Sequence, residues 1–407
     1  MKNYTRSLRC INCGKISSLK PIYSCEMCGG VLEVTYDYKK FKKDHETIYN
    51  ISLANKSSLL PIDINEEEPF PYFNTPLIKA KGIGLDVGTN NLYFKLEFNT
   101  LTGSFKDRPV YVGIKKAKEF GYQKVIVASS GNGASAVAAY ATREGLESIV
   151  LVPATTPAAK VSQAYAYGAK VIKVEGPYSN AFNLAWQISQ EEDVYNITTT
   201  FLNPYTIEGD KVVAYELIQN LKGNSPDYVV VPIGAGPLLV GIYNGFYENT
   251  LINEKQKIPH MIGVQSMGCN PIVKAFNEGK QHVTPEKSPD TIAGGIGDGL
   301  VGYSQDGTYT LNTIKDSEGI ALEVSDKEIM HAKNLLASRE GLYVETSSAA
   351  SVAALIKHAK THPFSSTSNI VIILTGHGLK ESFGKNIEEE VPVISNNVEA
   401  LKLLLKK

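Results

Sequence analysis

TGSFKDRP, residues 102–109, sets a lysine between a phenylalanine and an aspartate, directly behind a glycine turn. A lysine in such a turn ordinarily points into water. Here a hydrophobic run, NLYFKLEF (91–98), leads into the turn, and a helix-forming stretch, FKDRPVYVGIKKAKEFG, leads out of it. Asp107 suits the positive end of a helix dipole, Thr102 or Ser104 can cap the helix, and Pro109 is tolerated because first-turn amides lack intrahelical partners. Lys106 thus falls at a helix start, where a cation is disfavoured and an amine is more readily neutral. An amine nucleophile requires that state. A solvated surface lysine is nevertheless the commoner outcome, so the turn must be weighed with the rest of the chain.

Outward from this turn the pattern is regular. Runs at 91–98, 124–129, 148–153, 170–175, 194–199, 227–233, 261–266 and 369–375 are β-branched and apolar at nearly every position, as in strands buried on both faces. Helical stretches such as ASAVAAYATREG, TPAAKVSQAYAYG, YTIEGDKVVAYELIQNL and SDKEIMHAKNLLASREG lie between them, several closing on glycine. The alternation predicts an α/β chain of doubly wound, mostly parallel sheets in two lobes. The expected division is 1–38, 39–90 joining the large lobe, 91–205 mainly the small lobe, and 206–407 the large lobe. A Pro- and Glu-rich connector, LLPIDINEEEPFPYFNTP, precedes the regular part.

The 407 residues carry 41 Lys+Arg against 42 Asp+Glu, a net charge of −1, so no global field draws in nucleic acid or an anionic membrane. No apolar run reaches the length of a membrane span, and MKNYTRSLRC lacks a signal peptide's apolar segment. A cytoplasmic protein acting on a small molecule is the expectation. Four of the five cysteines form two short-spaced pairs, Cys10/Cys13 and Cys25/Cys28, the second followed by two glycines. Two turn-borne pairs fit a closed tetrahedral thiolate site, a structural zinc ribbon. Disulfides or redox pairs are the alternative, disfavoured in the cytosol. Cys269 stands alone and reads as a small core or loop residue.

In such folds ligands bind beyond the carboxyl ends of strands, so the loops there decide the chemistry. The loop ASSGNGAS (128–135) converges hydroxyls and backbone amides of Ser129, Ser130 and Gly131 at a helix start, which suits a small carboxylate; an ordinary serine-capped helix is the plain alternative. In PIGAGPLLVG (232–241), Gly234, Ala235, Gly236, Pro237 and Leu238 suit a single phosphate; the spacing fails both the dinucleotide and the nucleoside-triphosphate patterns. In LTGHGLK (374–380), the Thr375 hydroxyl ends an apolar strand and can meet a ring nitrogen, while His377 reads as structural. An amine nucleophile, a one-phosphate cradle, a carboxylate loop and a ring-facing hydroxyl have one common solution, pyridoxal phosphate.

With these motifs the chain resembles threonine synthases, within the tryptophan-synthase-β-like class (fold type II) of pyridoxal phosphate enzymes. The resemblance runs nearly end to end, through CINCG, CEMCGGVLEV, TPLIKAKGIG, TGSFKDR, SSGNGAS, PAAKVSQAYAYGAKVI, NPYTIEG, PIGAGP, VETSSAAS and TGHGLK. It implies that Lys106 carries the cofactor and moves protons, that Asn132 bonds the 3′-oxygen of the cofactor ring, that Gly234 to Leu238 hold its phosphate and that Thr375 faces the ring nitrogen. It also implies elimination or replacement on an L-amino acid, with O-phosphohomoserine to threonine as the leading reaction, and a homodimer. Two departures stand out. The family commonly has an arginine at the positions of Thr206 and Gly295, and neither residue can replace arginine as a phosphate partner. Ser104, Lys160 and Lys211 are the candidates to substitute. A β-replacing synthase of the cysteate or cysteine synthase kind, for example on O-phosphoserine, and an amino-acid dehydratase or ammonia-lyase remain the rival reactions. A catalytically silent zinc-ribbon binding protein is the non-enzymatic rival.

Overall fold

The computed structural model describes residues 3–45, 57–63, 74–176, 178–253, 256–381 and 391–405. The connector's residues 64–73 and parts of the 39–90 segment lie outside them. Three sheets organise the chain. The first is antiparallel and small: β1 (Thr5–Cys10), β2 (Ile16–Ser17) and β3 (Leu32–Tyr36), in the order β2-β1-β3.

The six-stranded sheet takes β4 (Leu77–Lys79), β5 (Asn91–Leu96), β10 (Tyr228–Pro232), β11 (His260–Ser266), β12 (Ile320–Val324) and β13 (Asn369–Leu374), in the order β12-β11-β10-β13-β5-β4. All its pairings are parallel except β4 with β5. The four-stranded sheet is parallel: β6 (Lys124–Ala128), β7 (Glu147–Pro153), β8 (Lys170–Val174) and β9 (Tyr195–Asn196), in the order β8-β7-β6-β9. The β-branched runs are buried along β10, β11 and β13, because helices cover both faces there.

Two expectations are corrected. Strand β5 was assigned to the small lobe with the rest of 91–205, but its hydrogen bonds run to β13 and β4, which puts it in the six-stranded sheet. Strand β8 has the apolar composition of a buried strand, yet it forms an edge and its side chains are exposed or half-buried.

A buried charge cluster fixes the start of the helix Asp107–Glu119. Arg108 donates from Nε and Nη2 to both oxygens of Glu97, at 2.5 and 2.8 Å, and from Nη1 and Nη2 to both oxygens of Glu216, each at 2.8 Å. Lys95 adds a 2.5 Å bond to Glu216. All four side chains are fully buried, and two cations balance two anions. Glu97 follows β5 and Glu216 lies on the helix Val212–Asn220, so one guanidinium ties three elements together.

The small sheet is packed into the body. Leu8, Val34 and Phe41 share a core with Val125, Ala138 and Val150 of the four-stranded sheet and its helices. Fully burying Leu8 and Phe41 stabilises the contact by about 1.5–3 kcal/mol each. Polar links add direction: Tyr36 donates to Glu208 at 2.5 Å, Tyr38 to Glu248 at 2.7 Å, and Tyr205 to the Lys20 carbonyl at 2.9 Å. Lys211 bridges Glu208 and Glu248 at 2.6 and 2.9 Å, beneath the Tyr36 ring. That lysine is therefore committed to holding the small sheet and does not serve a phosphate.

The four cysteine sulfurs lie within 4.8 Å of one another, with Cys10–Cys28 at 3.5 Å and Cys13–Cys25 at 3.6 Å. None forms a disulfide. Zinc–sulfur bonds of about 2.3 Å in a tetrahedron require sulfurs about 3.8 Å apart, so the cluster fits a structural zinc.

Two outcomes are expected. Metal analysis gives one zinc per chain, lost in a Cys13→Ser, Cys28→Ser double variant; a metal-free native protein would contradict the ribbon. Arg108→Ala strands two buried glutamates with one lysine and costs about 3–5 kcal/mol, read as a lowered midpoint of unfolding; an unchanged midpoint would contradict the role given to the cluster.

Candidate active site

Strands β5, β6, β10 and β13 all deliver their carboxyl ends to one cleft of about 1410 Å³ between the two larger sheets. Lys106, Ser130, Gly131, Asn132, Lys160, the Gly234–Leu238 loop and Thr375 all line it. The first and fourth loops are joined by a backbone bridge between Ser104 and Gly376. Ser104 itself is fully buried, is not a lining residue, and its hydroxyl has no hydrogen-bond partner.

Lys106 stands at the start of the helix Asp107–Glu119, as its turn predicted. The capping differs from the expectation. Neither Thr102 nor Ser104 caps the helix; Asp107 is buried and accepts instead from the Thr102 amide at 2.8 Å and from the Thr102 hydroxyl. The Lys106 Nζ donates to the Thr199 carbonyl at 3.2 Å, and the Phe105 ring lies 4.7 Å away. Burial lowers the amine to about 8, while the carboxylates of Asp210 and Asp298 pull the other way. A substantial neutral fraction near pH 8 follows.

The helix Pro237–Ile252 opens on Gly236 with no side-chain cap, so its first amides and its positive dipole end are free to receive an anion. Gly236 has φ +97°, and a Cβ there would meet Thr310 at 2.3 Å, so only glycine fits. Thr310 in turn fixes the loop by donating to the Ala235 carbonyl at 2.6 Å. At the end of β13, the Thr375 hydroxyl shares a 3.0 Å hydrogen bond with Ser348, whose oxygen also accepts from the amides of Thr375 and Gly376 at 2.9 and 2.8 Å. A half-buried amine, a one-anion helix start and a fixed hydroxyl in one cleft are the donor set that pyridoxal phosphate needs.

Several lining residues were missed. Glu345 accepts from the Asn132 side-chain nitrogen at both of its oxygens, at 3.1 and 2.8 Å, and burial pushes its carboxyl up to about 7. Asp298 accepts from Tyr303 at 2.8 Å and from the Leu300 amide at 3.0 Å. Lys380 donates to the Thr102 carbonyl at 2.8 Å and to Gln163 at 2.5 Å. Lys333 pairs with Glu381 at 2.8 Å. Glu345, Ser348 and Lys380 sit inside VETSSAAS and TGHGLK, which carried the resemblance, but a single sequence gives no reason to separate them from their neighbours. His377 lines the cleft, accepts from the Leu379 amide at 3.1 Å and packs edge-on to Phe98.

No arginine is among the described lining residues. Thr206 is buried away from the cleft, donating to the Asn203 carbonyl at 2.9 Å. Gly295 does line the cleft; a Cβ there would lie 2.7 Å from the Ser347 hydroxyl, which already accepts the Gly295 amide at 3.0 Å. Lys160 reaches over the same turn, its Nζ 3.7 Å from where a Cβ on Gly294 would stand.

The family model described as pyridoxal-phosphate dependent enzyme matches residues 69–376. A threonine synthase of Methanosarcina acetivorans is 37% identical over 400 residues, covering 97% of this chain and 97% of that protein. A threonine synthase of Methanocaldococcus jannaschii is 36% identical over 407 residues, covering 98% and 99%. Among solved structures, maize serine racemase is similar with a TM-score of 0.67 and 25% identity, covering 79% of this chain and 92% of that one. With Lys106 in a cleft made by four strand ends and a phosphate-ready helix start, the chain belongs to the pyridoxal-phosphate dependent enzymes, on their threonine synthase-like branch.

Proposed function

We propose that the protein eliminates a leaving group from an L-amino acid and adds a nucleophile in its place, with O-phosphohomoserine and water giving threonine and phosphate as the leading reaction. The observation that carries this reading is the half-buried Lys106 amine, which lines the cleft and is lowered to about 8 by desolvation. When bound, pyridoxal phosphate supplies an electron sink for the charge left at the substrate α-carbon. Lys106 would hold the cofactor and, when free, would take the α-proton on Nζ and return it. The amides of Gly234, Ala235, Gly236 and Leu238, at the start of the Pro237–Ile252 helix, would hold the cofactor phosphate, and the Thr375 hydroxyl would serve the ring nitrogen. Asn132 would bond the ring 3′-oxygen. Ser130 and Gly131 take the substrate carboxylate.

Among the described lining residues, the leaving phosphate has lysines and no arginine to meet it, and Lys160 lies across the turn where the family resemblance leads one to expect an arginine. The lack of a bidentate partner favours a second reading, β-replacement or β-elimination on a three-carbon substrate with a smaller leaving group. A cytoplasmic homodimer is part of the same proposal, as the family resemblance implies.

Steady-state kinetics on O-phosphohomoserine, O-phosphoserine, O-acetylserine, serine and threonine separate the readings. A single lost hydrogen bond to a charged group costs about 1.5–3 kcal/mol, so Lys160→Ala is expected to lower kcat/KM for O-phosphohomoserine about 10–100-fold. The same change leaves serine nearly unaffected. Efficient threonine formation that ignores the substitution contradicts the role of Lys160, and a clear preference for three-carbon substrates moves the reaction to the second reading.

A further inference from the structure

Asp298 is half-buried, lines the same cleft as Lys106, and serves no step above. It ends the stretch 294–298, whose two ends are placed by close contacts. At one end, the Lys160 Nζ lies 3.7 Å from where a Cβ on Gly294 would stand. At the other, a Cβ on Gly234 would lie 3.1 Å from the Asp298 Cβ, so the carboxylate abuts the start of the phosphate loop.

The plain reading of Asp298 is a carboxyl that holds a turn. Leu300 has φ +61°, in the left-handed region, and Asp298 accepts its amide at 3.0 Å. The Tyr303 hydroxyl donates to the same carboxylate at 2.8 Å. Both bonds fall on Oδ1, and among the described residues Oδ2 has no hydrogen bond or ion pair. The other described carboxylates of the cleft are committed. Glu381 pairs with Lys333 at 2.8 Å, Glu286 with Lys274 at 2.9 Å, and Glu345 offers both oxygens to Asn132. The turn therefore explains one oxygen of Asp298 and leaves the other over.

We propose that Asp298 sets leaving-group specificity: its uncommitted oxygen repels the doubly charged phosphate of a phosphate ester and admits a neutral leaving group such as a hydroxyl. The proposal deepens the elimination reading above and rests on it. An unpaired charge set against one ligand discriminates as effectively as a contact made to another. Lys160 attracts an anion at one end of the 294–298 stretch and Asp298 opposes it at the other. Burial raises the Asp298 carboxyl, while the Leu300 amide, the Tyr303 hydroxyl and the Lys106 charge favour its ionised form.

The test uses the cofactor-loaded protein and Asp298→Asn, which keeps an oxygen for the Leu300 amide and removes the charge. Serine and O-phosphoserine share one carbon skeleton and differ only in the phosphate. The ratio of kcat/KM for O-phosphoserine to that for serine is expected to rise about tenfold in the variant. Inorganic phosphate, titrated into the loaded protein by calorimetry, is expected to bind about tenfold more tightly. Asp298→Ser, also neutral, moves both readings in the same direction, and Asp298→Glu keeps the wild-type ratio. A ratio and a phosphate affinity that stay unchanged or fall in folded Asp298→Asn overturn the proposal. An equal gain on both substrates overturns it too, since the charge would then act on the cofactor phosphate. Loss of fold in both neutral variants leaves Asp298 a turn-holding carboxyl and likewise overturns it. Absence of turnover of every amino acid by the wild type contradicts the elimination reading instead, while the phosphate titration still reads the charge.

Discussion

The Arg108 cluster is what turns a flexible residue into a placed one. A lysine side chain carries about 2 kcal/mol of rotamer entropy, and a lysine at the end of a loop would spend that freedom in water. Lys106 does not, because two residues later a guanidinium grips Glu97 and Glu216 with both of their oxygens, in a space closed to solvent. Such a cluster adds little net stability over a well-packed apolar one, but losing one member is costly. Its consequence here is geometric. The end of β5, the start of the Asp107–Glu119 helix and the Val212–Asn220 helix are locked together, and the amine that precedes them has one direction left, into the cleft.

Around that amine the charge is arranged in depth. Lys106 and Asp298 line the same cleft, and the carboxyls of Asp210 and Asp298 oppose the lowering that burial imposes on the amine. Further out, lysines 160, 287, 333 and 380 line the walls, two of them already anchored, Lys333 by Glu381 and Lys380 by Gln163 and the Thr102 carbonyl. The zinc-ready sheet stands well outside this cleft, yet Tyr36, Tyr38 and Lys211 connect it to Glu208 and Glu248, the residues that frame the segment bearing Asp210. The ribbon therefore acts as a brace for the wall behind the lysine, a role for a structural metal that needs no contact with substrate.

Much of this was legible in the sequence because the signals are local. All eight β-branched runs contain a strand, although the run at 194–199 yields only the two-residue β9 and β8 is an exposed edge rather than a strand buried on both faces. Lys106, the phosphate loop and Thr375 were found because loops at strand ends are where such chemistry collects. What was missed is what depends on distant packing. The helix Thr346–Ala359, TSSAASVAALIKHA, is built of small residues and buried along its first ten positions, so it shows no polar face to mark it. The helix Pro237–Ile252 carries glycines at 241 and 245 because the Asp210–Ala214 segment passes against them, a reason invisible without the fold. Strand β5 was set in the wrong lobe because chain order suggests neighbours that hydrogen bonding did not choose. Ser104 adjoins the key lysine in sequence, but it is fully buried and its backbone pairs with Gly376, which the sequence alone does not show.

The account stands on one covalent attachment. Protein loaded with pyridoxal phosphate, reduced with borohydride, digested and mapped by mass spectrometry reads it directly. The expected result is the added phosphopyridoxyl mass on the peptide containing Lys106, absent from Lys106→Ala, with no other lysine modified in proportion to the protein. An adduct on a different lysine, or one that survives in Lys106→Ala, would contradict it.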